Sequence, residues 1–290
     1  MRGLGTAVAL LLAALLGGCS GVAPVRCLPI QAQVAWGALS GLTADGRVLY
    51  AVHDHNLPRP VIYRLIPAGD HARLEAALPI RGGEGLDPEG LAWRPDGGFW
   101  LVSEGSGHGR RANLLVALSP QGEVLRRIPL PRALTRQRVK GGLEGVAVTG
   151  SGADEQVWLL FQRPWRGDPA NLGRLARYTP ATGRWLFFGY PLDAPGNNLS
   201  GLTALPDGRL AVIERDSRPL HRARIKRIYA VAPVRKQMLT KTLLVDLLDT
   251  APATCGTLAK FEGLAVLGQA LYLVADDDGE GTALLYRIRR

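Results

Sequence analysis

Beyond its first residues the chain lacks any apolar run of about 18 residues, so no internal membrane span is expected. Lysine is scarce, with 5 against 30 arginines in a net charge of +10, and no nucleic-acid-binding motif accompanies that charge. No Gly-x-Ser-x-Gly elbow is present. Ser106 has no glycine two residues before or after it, so a serine nucleophile of that type is excluded. Asp276-Asp277-Asp278 lacks the spacing and terminal glutamate of an EF-hand loop. Apolar residues make up 47% and charged residues 21%, which excludes a disordered chain, a collagen and a coiled coil. Glycine and proline are abundant instead, 36 and 20, and spread as punctuation. That distribution favours short strands and turns over long helices.

Arg2 supplies a basic start, and Ala7 to Leu16 form an apolar segment too short to span a bilayer comfortably. Leu16-Gly17-Gly18-Cys19 resembles a bacterial lipobox, in which small residues permit cleavage before a lipid-bearing cysteine. Residues 1–18 are therefore read as a lipoprotein signal peptide, with Cys19 the lipidation site. Residues 19–26 are read as a tether and residues 27–290 as the folded domain. Ser20 after the cysteine resembles lipoproteins of the outer membrane, so a lipid-anchored, periplasm-facing protein of the bacterial envelope is expected. An ordinary cleaved secretory signal is the alternative. Of 3 cysteines, Cys27 and Cys255 then remain, an even pair in an oxidising compartment and a disulfide candidate.

The rest of the chain repeats one unit. Ser40-Gly41-Leu42, Glu89-Gly90-Leu91, Glu144-Gly145-Val146, Ser200-Gly201-Leu202 and Glu262-Gly263-Leu264 share Ser or Glu, Gly, then an apolar run. Their glycines are 49, 55, 56 and 62 residues apart. Turns such as Pro95-Asp96-Gly97 and Pro206-Asp207-Gly208 follow, then a second apolar strand and further strands. Four strands per unit, repeated radially, predict an all-β fold: a β-propeller of five four-stranded blades, or six if one repeat is degenerate. The fifth unit ends after its third strand. Cys27–Trp36 has no partner of its own, so the N-terminal strand is expected to close the ring, pinned by Cys27–Cys255.

First strands line a propeller's axis, so Ser40, Glu89, Glu144, Ser200 and Glu262 are expected to converge there. Carboxylates so placed cannot all ionise unaided; either their pKa values rise or a cation sits among them. Oxygen-only donors suit Ca²⁺. The second strand returns to the same mouth and ends in Asp54, Glu104, Gln162, Glu214 and Asp276, at 13, 14, 17, 13 and 13 residues from the glycines. These form a wider second ring, its four acids reading as catalytic or metal-binding, or as caps of the following turns. Arg163 and Arg215 stand beside the ring and suit a substrate anion, or are simply a solvated basic rim. Gln162, His53 and His55 complete the candidate substrate-binding set; either histidine could serve acid–base work or be simply hydrogen-bonded.

The segments Leu86-Asp87-Pro88-Glu89-Gly90-Leu91, Gly142-Leu143-Glu144-Gly145, Asn197-Asn198-Leu199-Ser200-Gly201-Leu202 and Phe261-Glu262-Gly263-Leu264 resemble the phytase-like family (esterase-like activity of phytase) over roughly residues 34–288. That resemblance implies an exported β-propeller and phosphoester or ester hydrolysis. The order Ser, Glu, Glu, Ser, Glu is also similar to the axial calcium ring of five-bladed calcium-activated nucleotidases, which implies Ca²⁺ at Ser40, Glu89, Glu144, Ser200 and Glu262. The expectation is a monomeric Ca²⁺-dependent hydrolase of anionic small molecules, using metal-activated water. A non-catalytic calcium-stabilised binding propeller and a lactonase-type propeller are the rival readings.

Overall fold

The computed structural model of the protein describes residues 25–54, 59–105, 112–135, 141–218, 222–232, 237–251, 255, 260–277 and 283–289. The expected signal peptide, the lipidation site Cys19 and His55 lie outside the described residues. Val25, expected in the tether, is already buried, and the first strand β1 starts at Arg26 (Arg26–Ala32). Among the described residues no helix is long and apolar enough to cross a membrane.

Five four-stranded units follow one another. Blade 1 comprises β2 (Leu39–Ala44), β3 (Leu49–His53), β4 (Val61–Ala68) and β5 (His71–Pro79). Blade 2 comprises β6 (Pro88–Trp93), β7 (Phe99–Ser103), β8 (Leu114–Leu118) and β9 (Val124–Pro129). Blade 3 comprises β10 (Leu143–Thr149), β11 (Gln156–Phe161), β12 (Leu172–Thr179) and β13 (Arg184–Pro191). Blade 4 comprises β14 (Asn198–Ala204), β15 (Leu210–Arg215), β16 (Lys226–Val231) and β17 (Lys241–Asp246). Blade 5 takes β18 (Lys260–Leu267), β19 (Ala270–Asp276) and β20 (Leu284–Arg289) from the end of the chain, and β1 from its start.

All pairing inside a blade is antiparallel. The closing strand β1 does two things: Arg26 to Pro29 pair antiparallel with β20, and Ile30 to Ala32 pair parallel with β5 of blade 1. Blades 5 and 1 are thereby joined into one eight-stranded sheet. The disulfide expected between Cys27 and Cys255 is present, with Cα atoms 5.4 Å apart, and fastens this strand to the segment leading into blade 5.

The first strands pack in order, β2 on β6, β6 on β10, β10 on β14, β14 on β18 and β18 on β2, which closes the propeller ring. Apolar side chains then fill the seams between neighbouring blades, one cluster per seam, because each blade has two apolar faces to cover. The ring is tight at its axis. A Cβ on Gly41 would stand 2.6 Å from Cα of Gly90 in the next blade, and one on Gly263 would stand 2.3 Å from the Ser40 carbonyl oxygen. Only glycine permits strands to approach this closely.

Candidate functional site

The ladder between first and second strand slips once in every blade, beside the Ser-Gly or Glu-Gly pair: between Leu39 and Leu42, Pro88 and Gly90, Leu143 and Gly145, Leu199 and Leu202, and Phe261 and Gly263. A bulge re-aims a side chain that regular alternation would send elsewhere. Ser40, Glu89, Glu144 and Glu262 accordingly line one cavity of about 650 Å³ at the mouth of the pore. Ser200 is as deeply buried but does not line it; its Oγ donates to the Phe261 carbonyl oxygen at 2.6 Å, tying blade 4 to blade 5. Ser40 Oγ likewise donates to the Glu89 carbonyl oxygen at 2.8 Å and lies 3.1 Å from Glu89 Oε2.

The second ring is assembled with one substitution. Asp54, Glu104, Gln162 and Asp276 line the cavity, but Glu214 does not. Strand pairing places Glu214 opposite Leu199, the position held in the other blades by His53, Ser103, Phe161 and Ala275. The residue facing the cavity in blade 4 is the next one, Arg215. A shift of one residue moves a strand side chain to the opposite face. Glu214 is fully buried at the seam of blades 3 and 4, where it accepts from the Asp193 amide (2.7 Å), Asn197 Nδ2 (2.7 Å), Tyr190 Oη (3.2 Å) and Lys241 Nζ (2.5 Å). It is an internal tie, not a cavity acid. His53 occupies the corresponding interior position, packed near Tyr63, with Nδ1 3.4 Å from the Asp54 carbonyl oxygen. The turn lengths carry this information: blades 2 and 4 both place five residues, 94–98 and 205–209, between their first two strands, whereas blade 1 places four, 45–48.

The cavity is strongly acidic, with ring carboxylates from four of the five blades. Burial pushes the Glu89 carboxyl well above the usual range, with Glu144, Asp54, Glu262 and Glu104 adding like-charge repulsion. Glu144 is raised in the same way by burial and then by Glu262 and Glu104. Glu262 is raised by burial, against the pull of Arg215. Its Oε1 accepts from Arg215 Nη2, while Oε2 is buried and has no hydrogen-bond partner among the described residues. One oxygen each of Asp54, Asp87 and Glu89 lies within 4.8 Å of the others, at the junction of blades 1 and 2. Among the described residues this is the one group of three ligand-type side chains so close together. No repeated pattern in the sequence marks Asp87, although it stands two residues before Glu89; its amide donates to Ser103 Oγ at 2.9 Å.

The blade 4 wall is cationic. Arg215 is buried, and its Nε donates to the Phe261 carbonyl oxygen at 3.2 Å. Lys226, paired across from Arg215, is among the most deeply buried side chains of the protein yet also lines the cavity. Its Nζ donates to the Asp216 carbonyl oxygen at 3.0 Å and lies 3.4 Å from Asp216 Oδ1. Burial, and secondly Arg215, hold the Lys226 ammonium below its ordinary pKa. Arg163 is exposed at the rim, donating through Nε to Gln162 Oε1 at 3.2 Å, and Lys260 pairs with Asp276 at 3.1 Å.

A family model described as phytase-like, esterase-like activity of phytase, matches residues 34–279. No curated protein sequence matches the chain. Among solved structures, an α-L-arabinofuranosidase from Podospora anserina in complex with cellotriose is similar at TM-score 0.54 and 10% identity, over 92% of this chain and 97% of that one. The catalytic domain of a Coprinopsis cinerea GH62 α-L-arabinofuranosidase gives 0.52 and 9%, over 92% and 97%. A GH43_1 enzyme from Xanthomonas citri gives 0.52 and 14%, over 90% and 89%. At these identities the likeness is one of fold.

Proposed function

Because the chain belongs to the phytase-like family, we propose that it is an exported, Ca²⁺-dependent hydrolase of phosphoester or related ester substrates. On this reading it is a monomer, held at the bacterial envelope by lipid on Cys19. The observation that supports it is the cavity lined by buried carboxylates of blades 2, 3 and 5 together with a guanidinium and an ammonium of blade 4. Burying so many acids together is costly unless protons or a cation offset the charge. The donor set fits a hard cation: Asp54, Asp87 and Glu89 offer oxygens near one another, Glu144 and Glu262 border the same space, and Glu262 Oε2 lacks a protein donor. Such an ion, when bound, supplies a Lewis acid and lowers the pKa of water.

The chain's own groups then divide the work. Asp54, Asp87 and Glu89 would hold the ion. Glu104, whose Oε1 accepts from the Gly142 amide at 2.7 Å, and Asp276, paired with Lys260, are held in place to orient water or take its proton. Gln162 and Arg163 contact the substrate from blade 3 and Arg215 from blade 4. On this reading Glu214, whose carboxylate is taken up by four protein donors, and His53, buried beside Tyr63, have no part in this chemistry.

The test is turnover of a panel of phosphomonoesters, phosphodiesters, nucleotides, carboxyl esters and lactones by purified protein, before and after chelation. At least one substrate is expected to be turned over, to be lost on chelation and to be restored by Ca²⁺, and Glu104→Gln should abolish that activity without unfolding the protein. Absence of calcium-dependent turnover across the whole panel sinks the proposal.

A further inference from the structure

Blade 4 differs from every other blade around the cavity. Blade 1 offers Ser40 and Asp54 at the two ring levels, blade 2 Glu89 and Glu104, blade 3 Glu144 and Gln162, and blade 5 Glu262 and Asp276. Blade 4 offers no carboxylate at either level: its first-strand residue is Ser200 and its second is Arg215. It brings instead Lys226, Arg218, Asn198 and Ser217 to the cavity, with Asp216 as the only acid among its lining residues. In the closed order of five blades, the junction of blades 1 and 2, where Asp54, Asp87 and Glu89 gather, stands across the pore from blade 4.

We infer that the blade 4 wall is an oxyanion subsite, built around Lys226 and Arg215, that receives a tetrahedral group such as a phosphoryl while the acidic wall opposite holds the cation. This deepens the hydrolase reading and rests on it for the role of the cavity. The donor inventory supports it. An ammonium has three protons and a guanidinium five. Among the described residues Lys226 makes one hydrogen bond, to the Asp216 carbonyl oxygen, and one ion pair, with Asp216 Oδ1 at 3.4 Å, while Arg215 uses Nε and Nη2 and makes no hydrogen bond from Nη1. Asn198 Nδ2 donates to Ser217 Oγ at 2.5 Å, adding a neutral polar pair from two other points of the wall. Donors thus reach the cavity from β14, the end of β15 with its loop, and β16, enough to engage an oxyanion with three or more oxygens. Lys226, at 2% exposure, has Asp216 as its counter-ion and Arg215 has Glu262, and the protons these pairs leave over are available to an incoming anion.

The experiment is calorimetric titration of the calcium-loaded protein with inorganic phosphate, and with acetate as the planar control. Phosphate is expected to bind, acetate about tenfold or more weaker. Lys226→Met should weaken phosphate about tenfold while leaving calcium affinity within about twofold. Where circular dichroism shows Lys226→Met unfolded, Arg218→Ala at the exposed rim is expected to weaken phosphate about threefold. No phosphate binding by the parent protein, or equal binding by the folded variants, overturns the inference and leaves the calcium reading standing. Lys226-dependent phosphate binding by a protein that takes up no calcium overturns the metal assignment and supports the subsite.

Discussion

Burial and mutual repulsion raise Glu89, Glu144 and Glu262 above the ordinary carboxylate value of 4.5. A carboxyl with a raised native pKa contributes stability that is fully present below 4.5 and is lost as pH climbs through the native value, because the folded state binds more protons than the unfolded one. Chelated protein should therefore melt at progressively lower temperature as pH rises from about 5 to about 8. Calcium should flatten the decline, because it replaces the protons, and Glu144→Gln should make the chelated protein less sensitive to pH. A chelated melting temperature that stays level or rises across this window would contradict the assignment. At this same scale the sequence is a partial guide. Glu89, Glu144 and Glu262 are legible because each precedes a repeated glycine. Asp87 and Lys226 are not, because what makes them notable is proximity to side chains from other segments.

Within the first strands, glycine acts by absence. A Gly263→Ala methyl would meet the backbone oxygen of Ser40, which cannot swing aside as a side chain could. Overpacking of this kind costs about 1–3 kcal/mol. The variant should unfold at lower urea concentration with an unchanged slope, and should bind calcium more weakly, since Ser40 and Glu262 adjoin the contact. Stability within about 0.5 kcal/mol of the parent would show that the axis is looser than described. The repeat itself is readable at this scale, down to the hairpin between first and second strands. The end of β15 is where counting residues from the glycine goes astray. The five-residue turn of blade 4 shifts its register by one relative to blade 1, and alternation then exchanges Glu214 for Arg215 at the cavity wall.

For the molecule as a whole, closure depends on strands from both ends of the chain. The Cys27–Cys255 disulfide spans 228 residues of sequence, so its removal frees a very long loop in the unfolded chain. Loss of such a native bond typically costs about 2–5 kcal/mol. Replacing both cysteines by serine should lower the melting temperature yet leave the β-sheet signal intact, because β1 still pairs with β20 on one side and β5 on the other. An unchanged melting temperature would mean that strand pairing alone holds the ring. The closing strand and its disulfide are visible in sequence as an orphan strand at one end and a blade short of a strand at the other. The parallel pairing of β1 with β5 is not, since no local pattern marks which edge of a neighbouring blade lies within reach.

Sequence alone determined the unit, its fivefold repetition, the inner Ser/Glu positions and the cysteine pair, because each is a local pattern or a count. Tertiary structure decided which of Glu214 and Arg215 faces the cavity, that Asp87 joins Asp54 and Glu89, and that Lys226 stands on the wall across from them. Those facts are distances between segments far apart in the chain, and they depend on turn length, strand register and the closure of the ring.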